Sequence, residues 1–565
     1  MFSLSRGGPA ALLFLLVPGA SVPAQNAPAS TPLLEILSTE LDRNFAALKD
    51  KADPPPYYIS YTVTEREQYS VAATSGALQD TSRAHNRVLD VAVRSGTPQL
   101  DNYHSMPGER PQFTTATMLS LDDAPDPIRR ELWLATDRTY RLGAQRLIKI
   151  KTGKEVQVAR EDQSDDFSLE PATVQVTPPQ PLKFNPQEWE PRLRRLSAVF
   201  AKFPGVLASS VSLSVQREAK TFVNTEGTRL HHGRGFARIF IAARGKASDG
   251  MDLSTFDSFE AEDPSRLPSE ETVRATVERV GGDLEKLLNA PVVEPFVGPA
   301  ILSGRAAGVF FHEIFGHRIE GHRQKDESDG QTFTKSVNSP VLPEFLSVVF
   351  DPTRRREGNV DLNGWYSHDD EGVKARPVPV VEGGVLKTFL MSRSPIKGFP
   401  RSNGHGRKQP GAEVVARQSN LVVQSSKRVP EAKLREMLLG EIKRQNKPYG
   451  FLFEQVSSGV TTTGRQGFQA FKVVPLVVYR VYADGRPDEL VRGVDIVGTP
   501  LASFSRILAT SDQVAVFNGY CGAESGSVPV SAVAPSILVS EIEVQKTEKS
   551  QERPPLLPRP AGGRS

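Results

Sequence analysis

The chain has 565 residues, 38% of them hydrophobic and 24% charged, with a formal net charge of +3 at pH 7. This length predicts two or three domains rather than one core, and the composition is that of a globular protein. Because the charge is nearly balanced and the basic residues are spread along the chain, the sequence argues against a nucleic-acid partner.

The first 24 residues have the pattern of a secretory signal peptide. A basic residue precedes an apolar run at 10–17, and Val22 and Ala24 fit the −3 and −1 positions of a signal-peptidase site. We therefore expect residues 1–24 to be removed and the mature chain to be exported, to a periplasm or outside the cell. No other segment approaches the ~18 apolar residues of a transmembrane helix, so no membrane insertion is expected after cleavage. The alternative is a buried N-terminal helix.

The remaining chain is predicted to form two domains and a tail. In residues 25–295, helical segments such as PIRRELWLATDRTYRLGAQRLIKIK alternate with strand-like segments such as NRVLDVAVRSG, which predicts an α+β domain with a tight turn at 224–227. Residues 296–545 contain one motif helix, expected at 305–324, and many short β segments separated by glycines. These predict a β-rich domain, either a sheet or a partly closed barrel, so the fold class is α+β. The charged, proline-rich residues 546–565 are expected to be disordered.

The motif helix contains the stretch FFHEIFGH, in which His312 and His317 flank Glu313. A buried glutamate requires a partner, and a metal ion supplies one. On a regular helix the two imidazoles would lie about 140° apart, so they converge only if the helix widens or bends. A π-bulge eased by Gly316 would bring them together. The alternative is a buried histidine cluster without a metal.

The chain has one cysteine, Cys521, in the glycine-rich stretch FNGYCGAESGSVPV. Its thiol is either buried and inert, paired between chains, or a metal ligand. Two histidines and a thiolate form an accepted ligand set for a catalytic zinc site, which keeps a fourth position open. Glu320, His322 and His368 are further candidates near the motif. The HDDE run that begins at His368 is otherwise read as a solvated turn.

Four stretches together resemble the TldD/PmbA family of metalloproteases, in its metal-bearing TldD-like branch. They are HEIFGHRIEGH, DDEGVKARPVPVVEGGVLKTFLMSRSPIKGFPRSNGHGR, EQVSSGVTTTGRQGFQAFKVVPLVVYRVYADG and GYCGAESGSVPVSAVAPSILVSEIEV. The resemblance implies that His312, His317 and Cys521 hold the metal beside Glu313. It also implies an N-terminal α+β domain followed by a β-rich metal domain, and assembly as a homodimer or as a heterodimer with a TldE/PmbA-like subunit. Because family members are typically cytoplasmic, the export signal is a departure from the family.

These observations predict a peptidase with one Zn²⁺ per subunit that cleaves extended or unfolded peptides. Glu313 would act as general base, and Glu320 and His322 would orient the ligands or form salt bridges rather than bind the metal. His405 and Arg407, in NGHGR, would stabilise the oxyanion, unless they belong to a structural turn. Two other functions fit the same residues. One is a metal-dependent amidase acting on a non-peptide substrate, and the other is a non-catalytic peptide-binding subunit with a structural metal.

Overall fold

The computed structural model describes residues 30–106, 109–114, 116–154, 162–465, 471–498, 500–549, 552–555 and 557. The expected signal peptide at 1–24 lies outside these residues, as does most of the expected tail at 546–565, so both stay predictions. Within the described residues the fold is α+β and is built on two large sheets, as predicted.

The first sheet is formed by the N-terminal half of the chain. The elements in order are α1 (Pro32–Lys51), β1 (Pro56–Thr74), β2 (Ala77–Thr97), β3 (Leu100–Asp101), β4 (Thr117–Met118), α2 (Pro125–Lys154), β5 (Val174–Val176), α3 (Pro186–Ala198), β6 (Ala208–Asn224), β7 (Arg229–Lys246), β8 (Asp252–Ala261) and α4 (Glu270–Asn289). Among the described residues they give an eight-stranded sheet with the order β3-β2-β1-β6-β7-β5, in which β4 pairs with β2 and β8 with β7.

Long antiparallel strands dominate this sheet because their side chains alternate between a buried and an accessible face. The predicted turn at 224–227 joins β6 to β7, and Gly227 takes the positive φ of +96° that favours glycine there. Two apolar clusters cover the sheet. One contains residues of α3 and α4, and the other contains residues of α1 and α2.

The second sheet begins after α4. Its region contains β9 (Phe296–Leu302), α5 (Gly304–Ile314), α6 (His322–Lys325), β10 (Leu346–Phe350), β11 (Arg356–Glu357), β12 (Val360–Asp361), β13 (Val378–Glu382), β14 (Val385–Leu386), β15 (Gly406–Arg407), β16 (Val415–Ala416), β17 (Asn420–Ser425), β18 (Arg428–Val429), α7 (Glu431–Arg444), β19 (Gly450–Thr461), β20 (Phe471–Val481), β21 (Glu489–Val491), β22 (Val494–Gly498), α8 (Pro500–Ser505), β23 (Ile507–Ala523) and β24 (Gly526–Lys546).

Part of this second sheet closes into a barrel. The pairings run from β24 through β22, β20 and β19 to β9, and β9 pairs back with β24, which gives a closed five-stranded barrel within the described chain. The predicted choice between a sheet and a partly closed barrel is thus resolved in favour of a closed barrel with further strands attached. Helix α5 packs against β24, β19 and β23, and its phenylalanines belong to the largest apolar cluster.

None of the helices in the described part of the chain has the length and hydropathy needed to cross a bilayer.

Replacing Leu284 with Ala should destabilise the N-terminal sheet. Leu284 is fully buried in α4, where it belongs to the cluster shared with α3, β6 and β7. Removing such a side chain leaves a cavity and costs about 2–5 kcal/mol. Urea unfolding followed by circular dichroism should show this loss. The matched control is Lys286→Ala in the same helix, where the side chain is 69% exposed, and it should change stability by less than about 1 kcal/mol.

Candidate metal centre

The helix that carries the motif is shorter than predicted. The Ser303 hydroxyl caps its N-terminus by accepting a hydrogen bond from the backbone N–H of Ala306, and the helix ends at Ile314. The chain continues through a 3₁₀ turn at Gly316–Ile319. The expectation of one helix over 305–324 is therefore wrong, and a helix break takes the place of the suggested π-bulge.

A side chain from another part of the chain explains this break. The amide of Gln418 donates from Nε2 to the carbonyl oxygen of His312 at 3.2 Å, which satisfies one of the acceptors that a helix end leaves free. A Cβ on residue 316 would lie 1.9 Å from Oε1 of Gln418. Only glycine therefore allows the backbone to pass so close to this amide, and the chain turns there.

The break brings His312, His317 and Cys521 together. Their potential ligand atoms all lie within 4.8 Å of one another. Sγ of Cys521 lies 3.4 Å from Nε2 of His317, and the two imidazole rings are 5.1 Å apart with an interplanar angle of 80°. All three side chains are buried, with exposures of 9%, 7% and 3% respectively. This is the cluster that the sequence predicted.

Cys521 reaches the helix from the opposite side of the site. It lies near the end of β23, where it pairs with Val528 of β24. Nη2 of the fully buried Arg417 donates to the carbonyl oxygen of Cys521 at 2.6 Å. The thiol is thus placed by a strand pairing and by a buried guanidinium, rather than by a free loop.

The charges around the cluster favour a thiolate. Burial alone would raise the pKa of the Cys521 thiol, but His317 and His312 outweigh it and hold that pKa well below its ordinary value. Burial lowers the pKa of His317, but the thiolate and Glu320 outweigh it and raise that pKa well above its ordinary value. A thiolate beside imidazoles is the form of cysteine that binds a metal.

Glu320 contacts His317 at Nδ1, the ring nitrogen that does not face Cys521. Its Oε2 lies 3.3 Å from Nδ1 of His317 and accepts a hydrogen bond from Nε of Arg323 at 2.8 Å. Its other oxygen lies 3.4 Å from Nε of Arg417. Burial raises the pKa of Glu320, but His317 and Arg323 outweigh it and bring it to about 2. Glu320 is therefore an anion that orients the imidazole, as predicted for this position.

Glu313 lies at the wall of a cavity of about 540 Å³, which the His–His–Cys cluster also borders. The side chain rests against Gly459 of β19, where an added Cβ would be 2.2 Å from Cγ of Glu313. Strand residues 457–461 and 517–523 form two of the walls, and Phe240 and Phe256 of the N-terminal sheet form a third. The cavity thus lies between the two sheets.

The other predicted site residues lie elsewhere. His405 is fully buried, its Nε2 lies 3.1 Å from the Ser419 hydroxyl, and burial lowers its pKa to about 3. Arg407 is 5% exposed and donates to the carbonyl oxygens of Gln418 and Pro529. Neither side chain is among those that border the 540 Å³ cavity. Their part in oxyanion stabilisation stays a prediction.

The other two histidines that the sequence offered as candidates lie outside the cluster. His322 bonds through Nε2 to the carboxylate of Glu524, which in turn accepts from Nη2 of Arg323 at 2.8 Å. His368 is buried next to a different cavity. Neither belongs to the group of His, Cys and acidic residues that lie close enough to share an ion.

Several residues of the site carry no signal in the sequence. Gln418 and Arg417 act only through contacts made over a hundred positions away along the chain, at His312 and Cys521. The signal at Gly459 was a glycine within a strand, which indicates the close approach of another group.

The donor set fits a zinc ion. With zinc–sulfur and zinc–nitrogen bonds of about 2.3 and 2.05 Å and a tetrahedral angle, a thiolate and an imidazole nitrogen on one ion lie about 3.5 Å apart. The observed separation between Cys521 Sγ and His317 Nε2 is 3.4 Å. A buried thiolate and two imidazoles, with a carboxylate holding the second imidazole, have the chemistry of a zinc site.

Comparison with known proteins points to the same class. Residues 297–546 match the family described as the PmbA/TldA metallopeptidase C-terminal domain. A metalloprotease of Archaeoglobus fulgidus is 28% identical over 262 residues, which are 45% of this chain and 55% of that protein. A zinc metalloprotease TldD homolog of Saccharolobus solfataricus is 26% identical over 249 residues, which are 44% of this chain and 51% of that protein. The chain thus spans about half the length of these relatives.

Solved structures extend the likeness to almost the whole chain. TldE from Thermococcus kodakarensis has a TM-score of 0.59 and 14% identity, and the match covers 91% of this chain and 100% of that one. A putative modulator of a DNA gyrase from Thermotoga maritima has a TM-score of 0.59 and 17% identity, over 90% of this chain and 99% of that one. At these identities the likeness shows the fold. Residues 297–546, which are less than half of the chain, are thus similar to the C-terminal domain of PmbA/TldA metallopeptidases.

Replacing Glu320 with Gln should weaken metal binding without removing the three ligands. The amide keeps the size of the side chain but loses the charge that faces His317 Nδ1, and a change of this kind lowers metal affinity about 10- to 100-fold. Competition with a chromophoric zinc chelator measures the effect. The matched control is Glu327→Gln, two positions after α6, where the side chain is exposed. An unchanged zinc affinity in Glu320→Gln would show that this carboxylate does not support the site.

Proposed function

We propose that the chain is a zinc-dependent peptidase that hydrolyses extended or unfolded peptides. The observation that carries the proposal is the His312–His317–Cys521 cluster, with ligand atoms within 4.8 Å, on the wall of a 540 Å³ cavity that also holds Glu313. A purely structural metal site would not need a carboxylate beside the ligands in an open cavity.

The residues of the site have different roles in the proposed hydrolysis. His312, His317 and Cys521 would hold a zinc ion, which would supply a Lewis acid that lowers the pKa of water toward ~7 and polarises a carbonyl group. Glu313 accepts the proton of the attacking water and later delivers it to the leaving amine. Gly459 supports this role because its missing side chain leaves room for the Glu313 carboxylate.

The cavity walls favour an extended substrate. β19 pairs with β9 only through Phe451–Phe453, so the following residues of β19 have no strand partner on that side within the described chain. Residues 457–461 of this edge border the cavity. An exposed strand edge binds a peptide through main-chain hydrogen bonds that require the peptide to be extended. Such contacts are independent of side-chain identity.

We also propose that the chain acts outside the cytoplasm and as a dimer. The proposed location depends on the signal-like segment 1–24. The likeness to a TldE structure supports either self-association or pairing with a TldE-like subunit.

Replacing Glu313 with Gln should abolish cleavage while leaving the metal bound. The amide is isosteric and lies beside the ligands without being one of them, but it cannot accept the water proton. The expected loss in kcat is at least 100-fold, measured on an unfolded, fluorogenic peptide mixture, with zinc content measured in parallel by elemental analysis.

Two controls make this experiment decisive. The chelated wild type should lose activity and regain it with Zn²⁺, and Cys521→Ala should lose both zinc and cleavage. If Glu313→Gln cleaves at the wild-type rate, the proposed general base is wrong. If the wild type holds zinc and binds peptide without turnover, the chain is a binding subunit.

Replacing Gly459 with Ala should reduce kcat by about tenfold or more without loss of zinc. The added Cβ would be 2.2 Å from Cγ of Glu313, so the carboxylate has to move, and a displaced catalytic group costs rate. The matched control is Gly440→Ala in α7, where no atom lies within 4 Å of the added Cβ. Equal activity of the two variants would contradict the placement of Glu313.

A further inference from the structure

A second, smaller cavity lies where the N-terminal sheet meets two loops of the C-terminal region. Its volume is about 70 Å³. On one side it is bordered by Lys220 and Arg234 of β6 and β7, and on the other by His368 and Arg407. These last two residues belong to the HDDE and NGHGR segments, and neither of them borders the 540 Å³ cavity.

Most of the charged groups around this cavity are paired. Arg66 lies 2.8 Å from Glu218, and Lys220 forms an ion pair with Asp370. Lys408 lies 2.8 Å from Asp90. Each of these three cations has a carboxylate partner, so together they contribute no excess charge.

Two guanidiniums at the cavity have no such partner. Nη1 of Arg407 donates to the carbonyl oxygens of Gln418 and Pro529. Arg234 donates to the carbonyl oxygens of Asn363 and Trp365 and to the side-chain oxygen of Asn363. Among the described residues, no carboxylate lies within ion-pair distance of either arginine. Burial lowers the pKa of both guanidiniums, as expected for charges that lack a full counter-charge.

The nearby acid has partners of its own. Asp369 borders the same cavity, but burial and the carboxylate of Glu371 raise its pKa well above its ordinary value. Its oxygens already accept hydrogen bonds from the backbone N–H groups of Glu371, Val373 and Gly406. The cavity is bordered by five cationic side chains and three acidic ones, so positive charge is in excess, and buried charges without partners are costly.

Two histidines complete the lining. His368 is 3% exposed, its Nδ1 lies 3.3 Å from the Ser367 hydroxyl, and its Nε2 is buried without a partner in the described chain. Burial lowers the pKa of His368 to about 4 and that of His232 to about 3. Both rings are therefore neutral at pH 7. When the serine hydroxyl donates to Nδ1, Nε2 carries the proton and offers a donor without an acceptor.

We propose that this cavity binds a small oxyanion of phosphate or sulfate size, held by Arg234, Arg407 and the Nε2–H of His368. The volume corresponds to about five water molecules, which suits a small oxyanion and excludes a nucleotide. Guanidinium groups are the preferred partners of such anions. Because Arg234 belongs to β7 and the other two residues to the C-terminal region, the anion would join the two halves of the molecule.

Titration calorimetry with inorganic phosphate tests the proposal on the full zinc-loaded chain. Saturable binding of one phosphate per chain is expected, together with a rise in Tm that grows with phosphate concentration. Arg407→Met should weaken phosphate binding about tenfold or more, because it removes a charged donor. The control is Arg401→Met, where the side chain is 68% exposed and outside the cavity, and it should bind phosphate like the wild type.

A second variant covers the case in which Arg407→Met does not fold. His368→Leu removes the unpartnered nitrogen but no charge, and it should weaken phosphate binding by at least threefold. Sodium chloride at matched ionic strength should not reproduce the rise in Tm. Undetectable binding to the wild type would overturn the proposal, as would unchanged affinity in the folded variants or an equal effect of chloride. None of these outcomes bears on peptide cleavage, so the proposed peptidase is tested separately.

Discussion

The arrangement of the candidate site depends on the end of helix α5 at Ile314. If α5 continued past Ile314 as a regular helix, His312 and His317 would point about 140° apart and could not meet at one point. The chain stops because the Gln418 amide takes the His312 carbonyl and because residue 316 has no side chain. A spacing of five residues keeps two histidines apart on a regular helix. Here it brings them together, because a helix end and a 3₁₀ turn lie between them.

The site is also organised by charge before any ligand enters. The Cys521 thiolate, His317 and Glu320 form an alternating series of negative, positive and negative groups, with Arg323 and Arg417 behind Glu320. All of these groups are buried, so each would be costly alone and each is stabilised by the next. A metal ion held by Cys521, His312 and His317 would supply positive charge to the same thiolate, and both imidazoles would have to bind it in their neutral form.

The sequence was sufficient to predict the fold class and a β-rich region with possible barrel closure, because periodicity is a local property of the chain. The His–His–Cys set was predicted from rare residue types together with the resemblance to the TldD/PmbA family, since the spacing alone left a histidine cluster without a metal open. The end of α5 could not be predicted, because it is decided by Gln418, a residue over a hundred positions away that carries no motif. Arg417 acts in the same way, through its contact with the carbonyl oxygen of Cys521. Arg407 and His368 were expected to be solvated turn residues, but both are buried. Their burial could not be predicted either, because it is the N-terminal sheet that covers them.

The N-terminal half of the chain contributes ion pairs to the C-terminal region and one wall to the cavity beside the metal cluster. The hairpin of β6 and β7 contributes Lys220 to a pair with Asp370, and Glu226, in its turn, pairs with Arg393, which is 1% exposed. The same sheet contributes the aromatic wall of the 540 Å³ cavity. The ion pairs that join the sheets and the wall that faces the metal cluster thus belong to one interface. The excess positive charge at the junction lies in this interface, which is why an anion bound there would act on the packing of the two sheets rather than on the chemistry at Glu313.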